Sequence, residues 1–339
     1  DRLRALKPQM LFVVGWSRGR DGLLSRGSTH LLRPPRKPAL IGKAGDAATI
    51  LSAELLALSG VDPKRIKLLD PASTAAYRGR LRAAQRPLPR NPVFQNYKFL
   101  ATSADARYLL PIVAVAPAGF IKAHRDALTV WGHVWLKGID MMGKDVPGAA
   151  RKVASMPNGP HALELLKRLG QIQPASLKDN ARIAGLSGRS PLSLELLFNR
   201  FWKRWRALGV ISAPAPEKAP LSVETLSALV RTYPALVEAA PPTMGSQPTG
   251  KRAKAERLLL RYRPKLRRWE LHKAVEELGL LAAIFDRAKL RVSVRGSLRR
   301  ARQLVAATLG RYTLPHPERL EARSHKDGRL LSISLYLAD

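Results

Sequence analysis

Leu11-Phe12-Val13-Val14-Gly15-Trp16-Ser17-Arg18-Gly19-Arg20-Asp21-Gly22 opens the stretch on which the fold turns, and Ala39-Leu40-Ile41-Gly42-Lys43-Ala44-Gly45-Asp46-Ala47-Ala48 continues it. Each is a short apolar run that breaks into a glycine-bearing loop. After the second, an apolar pattern with helical spacing runs from Ala47 to Leu58 and stops at Ser59-Gly60. The stretch therefore predicts two strands and a helix opening directly after the second strand. Amides at a helix start attract anions, and open α/β sheets place ligands beyond such strand ends. A ligand cleft is expected here.

Working outward, residues 9–130 alternate short apolar runs with helical patterns. Ile66–Leu69, Phe99–Thr102 and Ile112–Val115 read as strands, and Ala72–Ala84 reads as a helix. Such alternation predicts a mostly parallel sheet covered by helices, in the α/β class. From Pro117 to Trp205 the pattern turns helical. Phe120, Ile121, Leu128, Trp131, Trp135 and Leu136 fall on one stripe and are expected to be core, as are Leu194, Leu197, Phe198, Phe201, Trp202 and Trp205. Residues 213–250 are proline-rich around a short helix, and Pro241–Gly250 is the clearest linker. Beyond it, helix, strand, helix, turn and two strands predict a small α/β unit. The expected division is 1–212, a linker at 213–250, and 251–339.

The 339 residues hold 59 Lys and Arg against 25 Asp and Glu, a net charge of +34, with 45% hydrophobic residues. The chain has enough apolar residues for real cores, and its charge favours polyanions. Nucleic acid enters through charge alone, since no helix-turn-helix, zinc-finger or aromatic RNA-binding motif accompanies it. The densest basic run comprises Lys251, Arg252 and Lys254 with Arg257, Arg267 and Arg268. It reads as a polyanion-binding face or as a solvated one. Cysteine is absent, and the seven histidines show no metal spacing, so no cofactor or metal is expected. No apolar run reaches the ~18 residues of a membrane span. Gly185-Leu186-Ser187-Gly188-Arg189-Ser190 lacks the Gly-x-Ser-x-Gly spacing of a nucleophile elbow, so hydrolase chemistry is not expected.

Two segments hold the candidate contacts. Trp16, Ser17, Arg18 and Asp21 offer an apolar wall and a guanidinium fork for carboxylate, sulfonate or phosphate. The alternative is a solvated turn with a partly buried Trp. Gly45, Asp46, Ala47 and Ala48 open a helix, with Asp46 as its N-cap and the amides of Ala47 and Ala48 as the ligand donors.

On these segments, together with Leu55–Asp62, Lys98–Ser103 and Phe120–Leu128, residues 9–210 resemble part of a type II periplasmic solute-binding protein. This is the class that serves nitrate, taurine and sulfonate ABC importers. The resemblance implies a partial two-lobed fold, a small anionic solute, an ABC permease as partner, a periplasmic or cell-envelope location and no catalysis. Set against that family, the first strand–helix–strand of the complete fold is expected to be missing before Leu11. Phe285–Val292, Arg300–Val305 and Pro317–Glu321 are similar to an OmpA-like, peptidoglycan-associated domain. There Arg300 matches the arginine that holds a peptidoglycan stem peptide. The aspartate that normally pairs with it has no counterpart in Val294–Ser297.

Overall fold

The computed structural model describes residues 6–27, 30–73, 80–88, 94–238, 256–264, 266, 269–324 and 330–338. Its class is mixed α/β. Five strands form one sheet in the order β4-β3-β5-β2-β6: β2 Asp21–Arg26, β3 Ala39–Ile41, β4 Lys67–Leu69, β5 Leu81–Gln85 and β6 Tyr97–Thr102. A second sheet has the order β7-β1-β8, from β1 Pro8–Ser17, β7 Pro111–Pro117 and β8 Ile172–Pro174. A third, near the carboxyl terminus, has the order β11-β10-β12-β9, from β9 Glu256–Tyr262, β10 Lys289–Val294, β11 Leu320–Ala322 and β12 Leu331–Ala338.

Local signals set α1, Ala47–Leu58, at its expected bounds, with Gly45 at φ +88° before it and Gly60 at φ +95° after it. An L side chain at Gly45 would be strained. Nearly every residue of α1 is buried, because it touches β2, β3 and β5 on one side and α7, Leu194–Ala207, and β9 on the other. A helix apolar all round belongs in such a position. Its one buried carboxylate, Glu54, takes Arg200 Nε and Arg204 Nε at 2.7 Å each. Beyond it, Tyr262 donates to Glu277 Oε2 at 2.7 Å, and burial, then Glu277, raises the Tyr262 phenol. One continuous core joins α1, α7, the five-stranded sheet and the carboxyl-terminal sheet.

Several sequence expectations are corrected. The sheets are not mostly parallel. β2 runs antiparallel to β5 and β6, and β1 antiparallel to β7 and β8. Among the described strands β3–β4, β3–β5 and β10–β11 pair in parallel, and Met10 of β1 makes an isolated parallel bridge to Leu221. The three residues linking β1 to β2 are too few for a crossover helix. Within the expected helix 72–84, residues 74–79 lie outside the described residues, and residues 81–84 belong to β5. Pairing of Leu81 with Leu40 and of Ala84 with Gly22 overrides the helix preference of its alanines. β9 was not foreseen.

The helix expected from Ala118 is two helices, α2 Ala118–Ala123 and α3 Arg125–Lys144, broken at His124 (φ −127°, ψ 39°). Ile121, Leu128, Gly132, Leu136 and Ile139 face inward. Phe120, Trp131 and Trp135, expected in the core, are 48%, 42% and 39% exposed. The short α4 Val146–Ala154, α5 Ala162–Leu169, α6 Leu177–Ile183, α8 Glu224–Thr232 and α9 Pro234–Glu238 complete this part. The carboxyl-terminal unit adds α10 Leu271–Ile284 and α11 Leu298–Arg311. Among the described residues no helix is long and apolar enough to cross a membrane.

Candidate functional site

β1 does not break at Gly15. It bulges at Val14, between Val13 and Gly15, and pairs onward to Ser17, where the close approach of the Gln173 carbonyl, 3.0 Å from any Cβ at Gly15, leaves room for glycine. The loop is therefore only Arg18-Gly19-Arg20, turning through Gly19 at φ +80°. Hydrogen bonds fix it on every side. The amide of Ser17 donates to Leu110 O at 3.0 Å, and that of Arg18 to Gln171 O at 2.7 Å. The amide of Gly19 donates to Ser103 Oγ at 2.8 Å. Ser17 Oγ donates to Asp21 Oδ2 at 2.6 Å and lies 2.8 Å from Ser103 Oγ, while Gln85 Nε2 donates to Asp21 Oδ1 at 3.0 Å.

This network sorts the expected contacts by role. Ser17 and Asp21 are 5% and 2% exposed and hold the turn in shape. Trp16 is fully buried, its indole edge-on to Tyr108 at 5.2 Å between centroids, so it forms no open wall. Arg18 is half-buried at the tip. Burial, then the charges of Arg287 and Arg107, holds its pKa below the usual guanidinium value. Gly15-Trp16-Ser17-Arg18-Gly19 carries a Gly-x-Ser-x-Gly spacing that sequence reasoning passed over. Here the strand runs into a second strand rather than a helix, and the partners of Ser17 are Asp21 and Ser103.

Gly45 and Asp46 are exposed, with Ala47 half-buried and Ala48 buried behind them. Asp46 occupies the N-cap position, but its side chain makes no capping bond, which corrects the expectation. Its carbonyl accepts from Thr49 and Ile50 at 3.1 and 3.2 Å. Ala47 and Ala48 therefore supply the first two amides of the helix.

Sheet register relates the two segments. Asp21 pairs with Gln85, and Ile41 pairs with Arg82, with β3 and β5 parallel. The start of β2 and the ends of β3 and β5 thus lie along one edge of the five-stranded sheet. β6 ends there too, since Gly22 pairs with Thr102. Arg18 and the start of α1 share this edge, with the end of β5 between them. Asp105, in the loop after β6, accepts from the Thr102 amide at 2.7 Å; burial outweighs that bond and raises its carboxyl above the usual range.

No protein-family profile matches the chain, and no curated protein matches its sequence. Among solved structures it is similar to the alkanesulfonate-binding protein SsuA from Xanthomonas axonopodis pv. citri, at 15% identity over 61% of this chain and 73% of that one, TM-score 0.39. The periplasmic sulfonate-binding protein SsuA from Methylobacillus flagellatus KT gives 12% identity over 69% and 72%, TM-score 0.44. The periplasmic aliphatic sulphonate binding protein SsuA from Escherichia coli gives 13% over 74% and 76%, TM-score 0.40.

The other expected contacts lie apart from this edge. Arg300 is exposed in the first turn of α11, where its amide donates to Ser297 Oγ at 3.2 Å. Arg257 is exposed on β9. Lys251, Arg252, Lys254, Arg267 and Arg268 lie outside the described residues. Sequence reasoning missed Gln85 and Ser103, which hold the turn, and Arg107 and Arg287, whose charges act on Arg18. Their sequence separation leaves no local signal.

Proposed function

We propose that this chain is a non-enzymatic binding protein that takes a small anionic solute at the edge of the five-stranded sheet. Arg18 and the amides of Ala47 and Ala48 are its contacts, and Trp16, Ser17 and Asp21 are their support. The observation that carries the reading is a half-buried arginine on a turn fixed by six hydrogen bonds, at the same sheet edge as the start of a buried helix. A guanidinium and free helix amides both select oxyanions. The likeness of residues 9–210 to importer solute-binding proteins supports a periplasmic or envelope location and an ABC permease as partner. Residues 1–212 are the proposed binding unit and 213–250 the linker. The proposed role of 251–339 is an OmpA-like wall-associated module, with Arg300 as its one matched peptidoglycan contact.

The net charge of +34 favours a second reading, a basic scaffold for a polyanion such as nucleic acid, anionic lipid or glycan. Thermal-shift screening against taurine, sulfate, phosphate and nitrate, and against heparin and duplex DNA, separates the two at ~50 and ~500 mM salt. A ligand of the folded state raises its melting temperature by mass action. The proposed function predicts a salt-resistant shift with one small anion, abolished by Arg18→Ala. Shifts with polyanions alone, vanishing at high salt, overturn it in favour of the scaffold.

A further inference from the structure

α3 carries more apolar surface than the molecule covers. On a helix of about 3.6 residues per turn, its buried positions Leu128, Gly132, Leu136 and Ile139 fall within an arc of roughly 80°. Val130, Trp131, Val134, Trp135, Gly138 and Met141 fill a further arc of roughly 140° beside it, and all are exposed. Val130, Val134 and Met141 are 59%, 61% and 62% exposed. The polar side chains Thr129, His133, Asp140 and Lys137 keep to the remaining arc. A surface helix needs one apolar face, turned to its core. α3 has a second, facing outward and about 17 Å long from Val130 to Met141. Its centre is held in place: Trp131 rests against the buried Phe12 at 5.4 Å between ring centroids, and Trp135 against Trp131 at 6.2 Å.

Charge indicates what covers this stripe. Lys137 borders it on the side of Val130 and Met141, and Arg151 and Lys152 lie on α4, which packs on α3. All three are exposed, and none has a carboxylate partner among the described residues. The nearby carboxylates are engaged: Asp140 pairs with Lys144 at 2.7 Å, and Asp145 caps α4 through the Gly148 amide at 2.9 Å. Asp126 sits in the first turn of α3, where the helix dipole favours it. Two copies of a chain of net charge +34 repel each other, whereas the same charge draws the chain to an anionic surface. Tryptophan suits the boundary between lipid headgroups and acyl chains, where its ring is packed in apolar surroundings and its N–H stays wet. Aromatic and aliphatic residues along one helix face, bordered by basic side chains, are what an interfacial helix presents to lipid.

We propose that the outer face of α3 docks this protein on an anionic lipid surface, with Trp131, Val134 and Trp135 inserted at the level of the headgroups and Lys137 against the lipid phosphates. The helix lies along the surface rather than across it, since none of the described helices is long and apolar enough to span a membrane. The docking is independent of the solute site. It differs from attraction by charge alone, because the apolar stripe enters the lipid. The test uses the full chain with vesicles of equal parts phosphatidylglycerol and phosphatidylcholine, some carrying brominated acyl chains, at ~150 mM NaCl. Co-sedimentation reports binding, and quenching of tryptophan fluorescence by bromine reports insertion.

The wild type is expected to bind and to be quenched. Val134→Asn, which changes no charge, is expected to weaken vesicle binding at least about fivefold, the scale of one aliphatic side chain kept in water. Its melting temperature should match the wild type, because the side chain is exposed. Lys137→Gln is expected to weaken binding by about fivefold, the scale of one lysine at an anionic surface. The double variant Trp131→Phe with Trp135→Phe keeps the stripe apolar, so it should still bind while losing the quenching. Binding without quenching, and unchanged in Val134→Asn, overturns the proposal and leaves attraction by charge alone. Quenching that survives in the double variant overturns it by placing the inserted residues elsewhere. Absence of binding overturns it too, and self-association of the chain abolished by Val134→Asn would then assign the face to a second copy.

Discussion

Replacing Glu54 by Gln tests how α1 is held. Both carboxylate oxygens of Glu54 are engaged at 2.7 Å, and the side chain is 0% exposed. The amide of Gln keeps one acceptor, turns an NH2 towards a guanidinium, and leaves Arg200 and Arg204 without a counter-charge. Breaking one partner of a buried ion pair costs about 3–5 kcal/mol. The two arginine side chains are 21% and 12% exposed, so solvent recovers part of their hydration and the low end, about 3 kcal/mol, applies. With a urea dependence of about 3 kcal/mol/M, the midpoint falls by about 1 M.

The assay is urea unfolding followed by tryptophan fluorescence, since Trp202 and Trp205 lie on the same helix as the two arginines. A companion triple variant, Glu54→Leu with Arg200→Met and Arg204→Leu, is expected to regain most of the loss, because apolar groups of similar volume remove the unpaired charges. The pH dependence follows from the sign of the shift. Burial alone raises the Glu54 carboxyl, but Arg200 and Arg204 outweigh it and leave its pKa depressed. The stabilisation is then complete above the ordinary carboxylate range and is lost as pH falls through the depressed value. The gap between wild type and Glu54→Gln should stay constant from neutral pH to about 5 and close in stronger acid. A loss under about 1 kcal/mol at pH 7, or a triple variant weaker than the single one, refutes the reasoning.

Three further outcomes are expected. Asp21→Ala leaves the buried Ser17 hydroxyl and the Gln85 amide without their acceptor, and should lower stability by about 2–3 kcal/mol in thermal unfolding. On α3, Leu136→Ala at an inward position should cost about 2–5 kcal/mol, whereas Val134→Lys at a 61% exposed one should change stability by less than about 0.5 kcal/mol; equal effects would place the helix face wrongly. Burial of Glu321 opposes ionisation, but Lys289 and Arg323 hold its carboxyl down to about 2, so an NMR titration of its side chain should show a midpoint well below the ordinary 4.5.

Legibility in the sequence followed locality. The bounds of α1 were readable because Gly45, Ser59 and Gly60 act within a turn of the helix they delimit. β3 and β4 were readable because Pro and Gly flank short apolar runs. β5 was not, since Ala83 and Ala84 prefer helix and only cross-strand partners decide the matter. In β9, three leucines lie among arginines, and the charge masked a strand whose partner, β12, is about 75 residues away. From Phe120 to Leu136 the buried stripe, through Ile121, Leu128, Gly132 and Leu136, is narrower than the apolar pattern and leaves Phe120, Trp131 and Trp135 on its exposed flank.

At the candidate site the sequence gives residue types but not their roles. Trp16 and Asp21 have the chemistry of ligand contacts, and burial makes them supports. The salt bridge from Arg107 to Asp286 crosses half the chain, beyond the reach of any spacing rule.

The most direct measurement of the central claim is an amide and indole NMR spectrum of the isotope-labelled chain, with and without the small anion that gives the largest thermal shift. The account predicts perturbed resonances at Arg18, Gly19, Ala47 and Ala48, and no comparable change along β9. Perturbations confined to the basic surface around Arg257, with Arg18 and Ala47 unmoved, would contradict it.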